Sequence, residues 1–305
     1  MSLCVLCGKG LRIMKIILFG KNGQLGWELQ RTLAPLGKVI ALDYPEVDFT
    51  KPDSLREVIQ QVESDIIVNP AAYTAVDRAE SEPEAAFLVN SQSVAVLAEE
   101  AAKRCIPFIH YSTDYVFDGS KGSLYVETDS PDPLNVYGHS KLAGEQAVLA
   151  AGGTGIILRT SWVYSLRQDG FVSKVLRWAR QQKTMRIVDD QISGPTSARM
   201  LAEATALMLA KASSNSYEYL TERAGLYHLA GDGACSRYEW ARKILVLDPM
   251  KENQVVKELL PAKSQDFPRP AKRPLESVLC CDKFEYVFGL RLPPWQKGLR
   301  MMMEG

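Results

Sequence analysis

From Met14 onward, short runs rich in Ile, Val and Leu alternate with longer stretches whose apolar residues recur at three and four. The runs KIILFG (15–20), KVIALD (38–43), DIIVNPAA (65–72), PFIHYST (107–113) and GIILRTSW (155–162) read as strands. Helical patterns near 24–36, 53–62, 83–105 and 134–152 separate them. This alternation is the pattern of repeated βα units on a parallel sheet and predicts an α/β, doubly wound dinucleotide-binding domain over 14–163. Beyond 163 the order loosens: a helix near 169–182, a short strand MRIV, a helix 198–212, a strand GLYHLAG (225–231), a helix 236–247 and a Pro-rich tail. These pieces predict a smaller α/β substrate lobe over 164–305, with some segments returning to the main sheet. Residues 1–13, MSLCVLCGKGLRI, precede a second methionine and read as an extension outside the fold.

Composition narrows the partners. Of 305 residues 46% are hydrophobic and 24% charged, and Lys+Arg balances Asp+Glu at 36 each without a long run of one sign. Such a surface offers no basic stripe for nucleic acid or an anionic membrane, and no apolar run approaches the roughly 18 residues that span a bilayer. The expected partner is a small molecule and the expected location cytoplasmic. Six scattered cysteines read as reduced thiols, because adjacent Cys280 and Cys281 do not bridge easily and the CxxC of Cys4 and Cys7 has no matching ligand pair. No metal site is expected there.

Directly after the first strand comes GKNGQLG, in which Gly20, Gly23 and Gly26 open the first helix. Glycines there allow a tight turn and let backbone N–H groups and the helix N-terminus approach a pyrophosphate. Asp43 closes the second strand about 20 residues on, where a carboxylate can accept bonds from an adenosine ribose. Its charge favours NADH, but a carboxylate turned aside also admits NADPH, so both cofactors stay open.

A second constellation is YGHSKLAGE (137–145), where Tyr137 and Lys141 stand one turn apart on a helix. A phenol near pKa 10 is a poor acid at neutral pH, and an ammonium one turn away lowers that value. Lys141 is therefore expected to tune Tyr137 for proton transfer, and no other tyrosine of the twelve has a lysine four residues later. Thr113 ends the strand PFIHYST at a carboxyl end, where open α/β sheets bind ligands, and its hydroxyl can donate to a developing alkoxide. The three histidines (110, 139, 228) lie far apart and read as structural.

The spacing GxxGxxG, with DIIVNPAAYTAVD, HYSTDYVFDG and YGHSKLAGE, resembles the extended short-chain dehydrogenase/reductase superfamily. FGKNGQLGWELQ, AAYTAVDRAE, NVYGHSKLAGE, RTSWVY and PRPAKRP resemble, within it, the dTDP-4-dehydrorhamnose reductase family over essentially all of 14–303. The resemblance implies NAD(P)H-dependent reduction of a dTDP-4-keto-6-deoxy-L-hexose to dTDP-L-rhamnose, with Tyr137, Lys141 and Thr113 catalytic. It implies that Lys141 also bonds the nicotinamide ribose. Gln24 and Leu25 on the turn, Asp48 and Phe49 after the second strand, Ala71, Ala72 and Tyr73 after the third, and Tyr111 would join the glycines and Asp43 at the cofactor. Asp114 and Trp162 would join Thr113 at the sugar, where an indole can pack on the ring. Pro70 interrupts the run before Ala71 and lacks an N–H, which puts one backbone bond in doubt. Asn90 matches an asparagine that steadies the lysine, and a buried amide bonding backbone is an equal reading. Arg269 and Arg273 of PRPAKRP, with the loop DDQISGPTSA, are candidates for the diphosphate.

Family members dimerise, some with a divalent cation such as Mg held by acidic residues. Glu28 stands at a place for one, but Arg199 occupies a position where a further acidic ligand is wanted, so a homodimer stays possible and a metal link is doubtful. A non-catalytic NAD(P)-binding subunit and a sugar-nucleotide epimerase of the same superfamily are the alternatives.

Overall fold

The computed structural model describes residues 13–167, 169–212 and 216–304, so the extension 1–12 with Cys4 and Cys7 lies outside the described residues. Six strands, β1 (Met14–Phe19), β2 (Gly37–Leu42), β3 (Ile66–Asn69), β4 (Phe108–Thr113), β5 (Gly155–Thr160) and β6 (Gly225–His228), form one sheet in the order β6-β5-β4-β3-β1-β2. Every neighbouring pair is parallel. The strands are apolar on consecutive residues because the sheet is covered on both faces. In β1, Ile16 and Leu18 enter one core with Leu29 and Leu33 of helix α1 (Gln24–Leu33), while Ile17 and Phe19 enter the other with Leu55 and Ile59 of α2 (Pro52–Gln61). Helix α3 (Ser93–Lys103) adds Val94 and Leu97 to the second core.

The chain leaves β1 to one side for β2 and returns to the other side for β3, so a crevice opens between the carboxyl ends of β1 and β3. Element ends carry the site, and two predicted strands stop short there. DIIVNPAA ends as strand at Asn69, whose Oδ1 accepts from Ala71 N at 3.2 Å. Pro70 thus breaks no ladder bond. GIILRTSW ends at Thr160 because Trp162 turns the chain with φ of 42°. The predicted helix 83–105 contains a π-helical turn at Leu88–Gln92, a distortion frequent near functional sites.

Helix α4 (Val136–Ala150) carries YGHSKLAGE, followed by α5 (Phe171–Ala179), α6 (Ala198–Lys211) and α7 (Arg237–Leu247). Helix α6 returns to the main sheet, placing Leu201, Met208 and Leu209 in the same core as β1. Another core joins Tyr164, Val172 and Val175 to Met185, Ile187, Trp240 and Ile244. The Pro-rich tail is more structured than its composition suggested. Glu258–Ala262 pairs in parallel with Thr184–Val188, α8 (Asp282–Phe288) packs Phe284 and Phe288 on the main core, and α9 (Trp295–Met303) adds Trp295 and Leu299 to the third. Its helix ends are occupied by an αL Gly289 and by Pro294, so its turn residues mark boundaries and not absence of structure. Among the described residues no helix is long and apolar enough to cross a membrane.

Candidate active site

The glycine turn is built by contact. Gly20 takes φ of 67°, and a Cβ there would lie 2.9 Å from Ala71 Cα, so the turn after β1 touches the segment after β3. A Cβ on Gly26 would lie 1.9 Å from Gly20 O. Asp43, just past β2, accepts from Asn22 N at 2.9 Å and from Tyr44 N at 2.8 Å, tying the turn to the end of β2. Gly26→Ala is therefore expected to force the turn open and weaken NADPH binding about tenfold or more, since overpacking of this kind costs about 1–3 kcal/mol. Titration of cofactor onto the folded variant checks this, and an unchanged affinity would show that the turn does not floor the site.

Above the turn lies a cavity of about 540 Å³, in the range of small-molecule sites. Gly23, Gln24 and Leu25 line it beside Gly20, Gly26 and Asp43; Asp48, Phe49, Ala71 and Ala72 follow, and Tyr111, Thr113, Asp114, Tyr137, Lys141 and Trp162 complete its far end. Tyr73 is the exception and corrects the expectation. Its hydroxyl donates to Glu82 at 2.7 Å and its backbone N to Asn90 Oδ1 at 2.8 Å, while the cavity wall runs through Ala72 and Thr74. The reason is Asn90 on the π-helical turn. Its Nδ2 donates to Tyr73 O at 3.1 Å and to Ser140 Oγ at 3.0 Å, so this buried amide fixes backbone and does not touch Lys141.

At the far end, Asn135 caps α4 by accepting from Gly138 N at 2.8 Å, and its Nδ2 donates to Lys272 O at 2.7 Å, joining the Arg-Pro tail to the catalytic helix. Tyr137 in the first turn lines the same cavity as Thr113, whose hydroxyl is near enough to act on the phenol. Burial pushes its phenol well above the ordinary tyrosine value, and the Thr113 bond opposes that rise only in part. The tuning expected of Lys141 is not seen among the protein's own groups. Lys141 Nζ donates to Tyr111 O at 2.7 Å and lies 3.3 Å from His110 Nε2, so its charge is directed at the end of β4. Burial lowers the ammonium to about 8, with Glu145 opposing. The Tyr111 phenol faces away, sharing a 2.8 Å bond with Thr205 on α6, so only the rest of that residue reaches the cavity. His139 is exposed, on another side of the helix.

Asp114 is buried and accepts from Ser277 Oγ at 2.6 Å, Ser193 Oγ at 3.1 Å and Thr113 Oγ1 at 3.2 Å. Burial pushes its carboxyl up to about 6 against these three hydroxyls. Beyond it, Trp162 stacks on Trp240 with centroids 5.5 Å apart, and its carbonyl accepts from Thr196 N at 3.3 Å. These contacts hold a left-handed non-glycine conformation that costs about 1–2 kcal/mol.

A second cavity of about 620 Å³ lies on the other side of Trp162, and sequence reasoning found only part of its wall. Arg269 and Arg273, the candidates for the diphosphate, line it with Lys174, Arg186 and Arg237, against one carboxylate among the described residues, Asp77. Arg273 Nη2 donates to Asp77 Oδ2 at 2.9 Å. Gln191, from the loop DDQISGPTSA, is also on the wall. Elsewhere, Arg199 Nε lies 3.6 Å from Glu28, so an arginine meets the charge that a cation would need; among the described residues no group of three acidic, His or Cys side chains could hold a metal.

Comparison with known proteins agrees with this fold. A family model described as RmlD substrate binding domain matches residues 14–305. The dTDP-4-dehydrorhamnose reductase of Escherichia coli K12 is 42% identical over 95% of this chain and 97% of its own length. A solved dTDP-4-dehydrorhamnose reductase of Clostridium acetobutylicum aligns with a TM-score of 0.86 at 31% identity, covering 95% of this chain and 99% of that one. Another, from Bacillus anthracis in complex with NADP, aligns with a TM-score of 0.85 at 32% identity, covering 96% and 99%. By its sequence along almost the whole length and by its fold, the chain belongs to the dTDP-4-dehydrorhamnose reductase family.

Proposed function

We propose that this chain reduces the 4-keto group of dTDP-4-dehydro-L-rhamnose with NADPH or NADH, giving dTDP-L-rhamnose. The observation that carries the reading is the meeting of Thr113 and Tyr137 at the carboxyl end of β4, inside the cavity floored by the glycine turn. The turn fits a dinucleotide because Gly20, Gly23 and Gly26 bring bare backbone to the cavity wall in a packing that a Cβ at Gly20 or Gly26 would break, and the Bacillus anthracis relative is described in complex with NADP. When bound, the cofactor supplies the hydride.

The chain's own residues do the rest. Burial keeps Tyr137 protonated through neutral pH, so a proton is present to be donated to the oxygen that becomes negative. The Thr113 hydroxyl lines the same space, and the proton it gives to Asp114 at 3.2 Å can be turned to that oxygen instead. Lys141 stands one turn on from Tyr137 and lines the same cavity, so once the phenol gives up its proton this ammonium is the cation at hand to favour the phenolate. Asp114 accepts hydroxyl hydrogen bonds already, which suits it to hold a sugar hydroxyl. Trp162 closes the sugar end with an apolar face.

The test is the absorbance of reduced nicotinamide on mixing enzyme, NADPH or NADH and dTDP-4-dehydro-L-rhamnose. One cofactor oxidised for each ketone reduced supports the reading. Turnover that leaves cofactor unchanged favours the epimerase alternative, and a folded, cofactor-bound protein that turns over nothing favours the non-catalytic one.

A further inference from the structure

Trp162 and Arg237 form the partition between the two cavities, the indole lining the first and the guanidinium the second. The Arg237 guanidinium lies 3.5 Å from the Trp162 ring centroid, with Phe171 at 5.1 Å and Trp240 at 5.4 Å. It is half-buried at the start of α7, where its backbone N donates to Gln191 O at 3.2 Å. The charges around it are committed elsewhere. Asp77 is bound by Arg273, Arg186 donates to Asp266 at 2.7 Å, and Asp114 is held by three hydroxyls. Among the described residues the Arg237 side chain makes no hydrogen bond and no ion pair, so its donors are available to a ligand.

A planar guanidinium can be attracted to an aromatic ring by its face while its N–H edges donate in plane to an anion. Resting on the reductase reading, which places a diphosphate next to the sugar, we propose that Arg237 is a positioning residue. Its edge binds the diphosphate of the nucleotide sugar, and its face backs Trp162, fixing the indole against the sugar ring. Anion binding in the second cavity and ring placement in the first are then set by one side chain. The left-handed backbone at Trp162, held also by the Trp240 stack and the Thr196 N–H bond, fits a ring whose position matters.

The experiment compares wild type with Arg237→Met, which keeps an apolar stem on the indole, and Arg237→Lys, which keeps the charge and loses the plane. The probe is thymidine diphosphate, titrated by tryptophan emission with NADPH affinity as the folding control; Trp162→Phe identifies the part of the signal that belongs to this indole. Arg237→Met is expected to bind the diphosphate at least about tenfold more weakly, the loss of a charged hydrogen bond. Arg237→Lys is expected to keep that affinity within about threefold but to lower kcat and the Trp162 emission change, because a point charge cannot support the ring as a plane does. The proposal is overturned if Arg237→Met binds the diphosphate as wild type does, or if Arg237→Lys retains both kcat and the emission change. Absence of ketone reduction by wild type would instead sink the reductase reading, and the diphosphate titrations would still decide on Arg237.

Discussion

Tyr137→Phe is expected to lower kcat on the keto sugar by about a thousandfold while leaving NADPH affinity within about twofold, since a positioned general acid contributes roughly 10²–10⁴-fold. The phenol is the group whose proton the buried site retains, and removing its oxygen leaves the edge contact with Tyr115, centroids 5.8 Å apart, in place. The loss is therefore chemical and not one of packing. A pH profile of kcat/KM in the wild type separates acid from support. Tyr137 stays protonated well beyond neutral pH, whereas Lys141, lowered to about 8 by burial, loses its charge as pH rises through that value. The profile should accordingly fall above about pH 8, through loss of the cation that stabilises the phenolate. A flat profile through pH 9, or a Phe variant with more than about a tenth of wild-type kcat, would falsify the assignment.

How far such a site is legible in a sequence depends on whether its parts are local. The glycine turn was, because a strand end, three glycines and Asp43 fall within one βα unit. So was the Tyr137–Lys141 pair, because a spacing of four is a helical face. Tyr73 misled because it adjoins two alanines that do line the cavity, and Glu82 and Asn90, nine and seventeen residues on, hold it away. Lys141 was read as acting on Tyr137 and the nicotinamide ribose, and its bonds to the carbonyl of Tyr111 and the ring of His110 were not visible because those residues are some thirty positions distant. The second cavity was least visible: Lys174, Arg186, Arg237, Arg269 and Arg273 come from two helices, a strand and the tail, and share no spacing. Arg237 stands behind a capping serine, Ser236, where the local pattern shows a helix start and nothing more.

Strand positions were legible for a related reason. Runs such as IILF, buried on both faces, announce themselves by unbroken apolarity, whereas Glu258–Ala262 of the tail is mostly exposed and pairs with a strand some seventy residues away. The stretch YGHSKLAGE also holds a third residue of the series 137, 141, 145. Glu145 is fully enclosed, and it connects the catalytic helix to the sheet.

Arg159→Met is expected to destabilise the protein by about 3–5 kcal/mol, the cost of leaving one member of a buried ion pair alone. Arg159 on β5 donates from Nε to Glu145 Oε1 at 2.8 Å and from Nη2 to Oε2 at 2.6 Å, a two-pronged contact with both side chains 3% exposed. The methionine would retain the stem's packing beneath Phe117, on which the guanidinium now stacks at 5.0 Å, so the loss isolates the charge. For a chain of this size the melting temperature should fall on the order of 10 °C. The double variant Arg159→Met, Glu145→Leu should recover most of it, because an apolar pair has no unpaired charge to bury. Kinetics would report the same contact from the other side. Among the described residues Glu145 is the carboxylate whose field supports the charge of Lys141, so the double variant, though stable, should lose activity at a lower pH than the wild type does. A single variant destabilised by less than about 1 kcal/mol would mean that the pair is not what anchors α4 to the sheet.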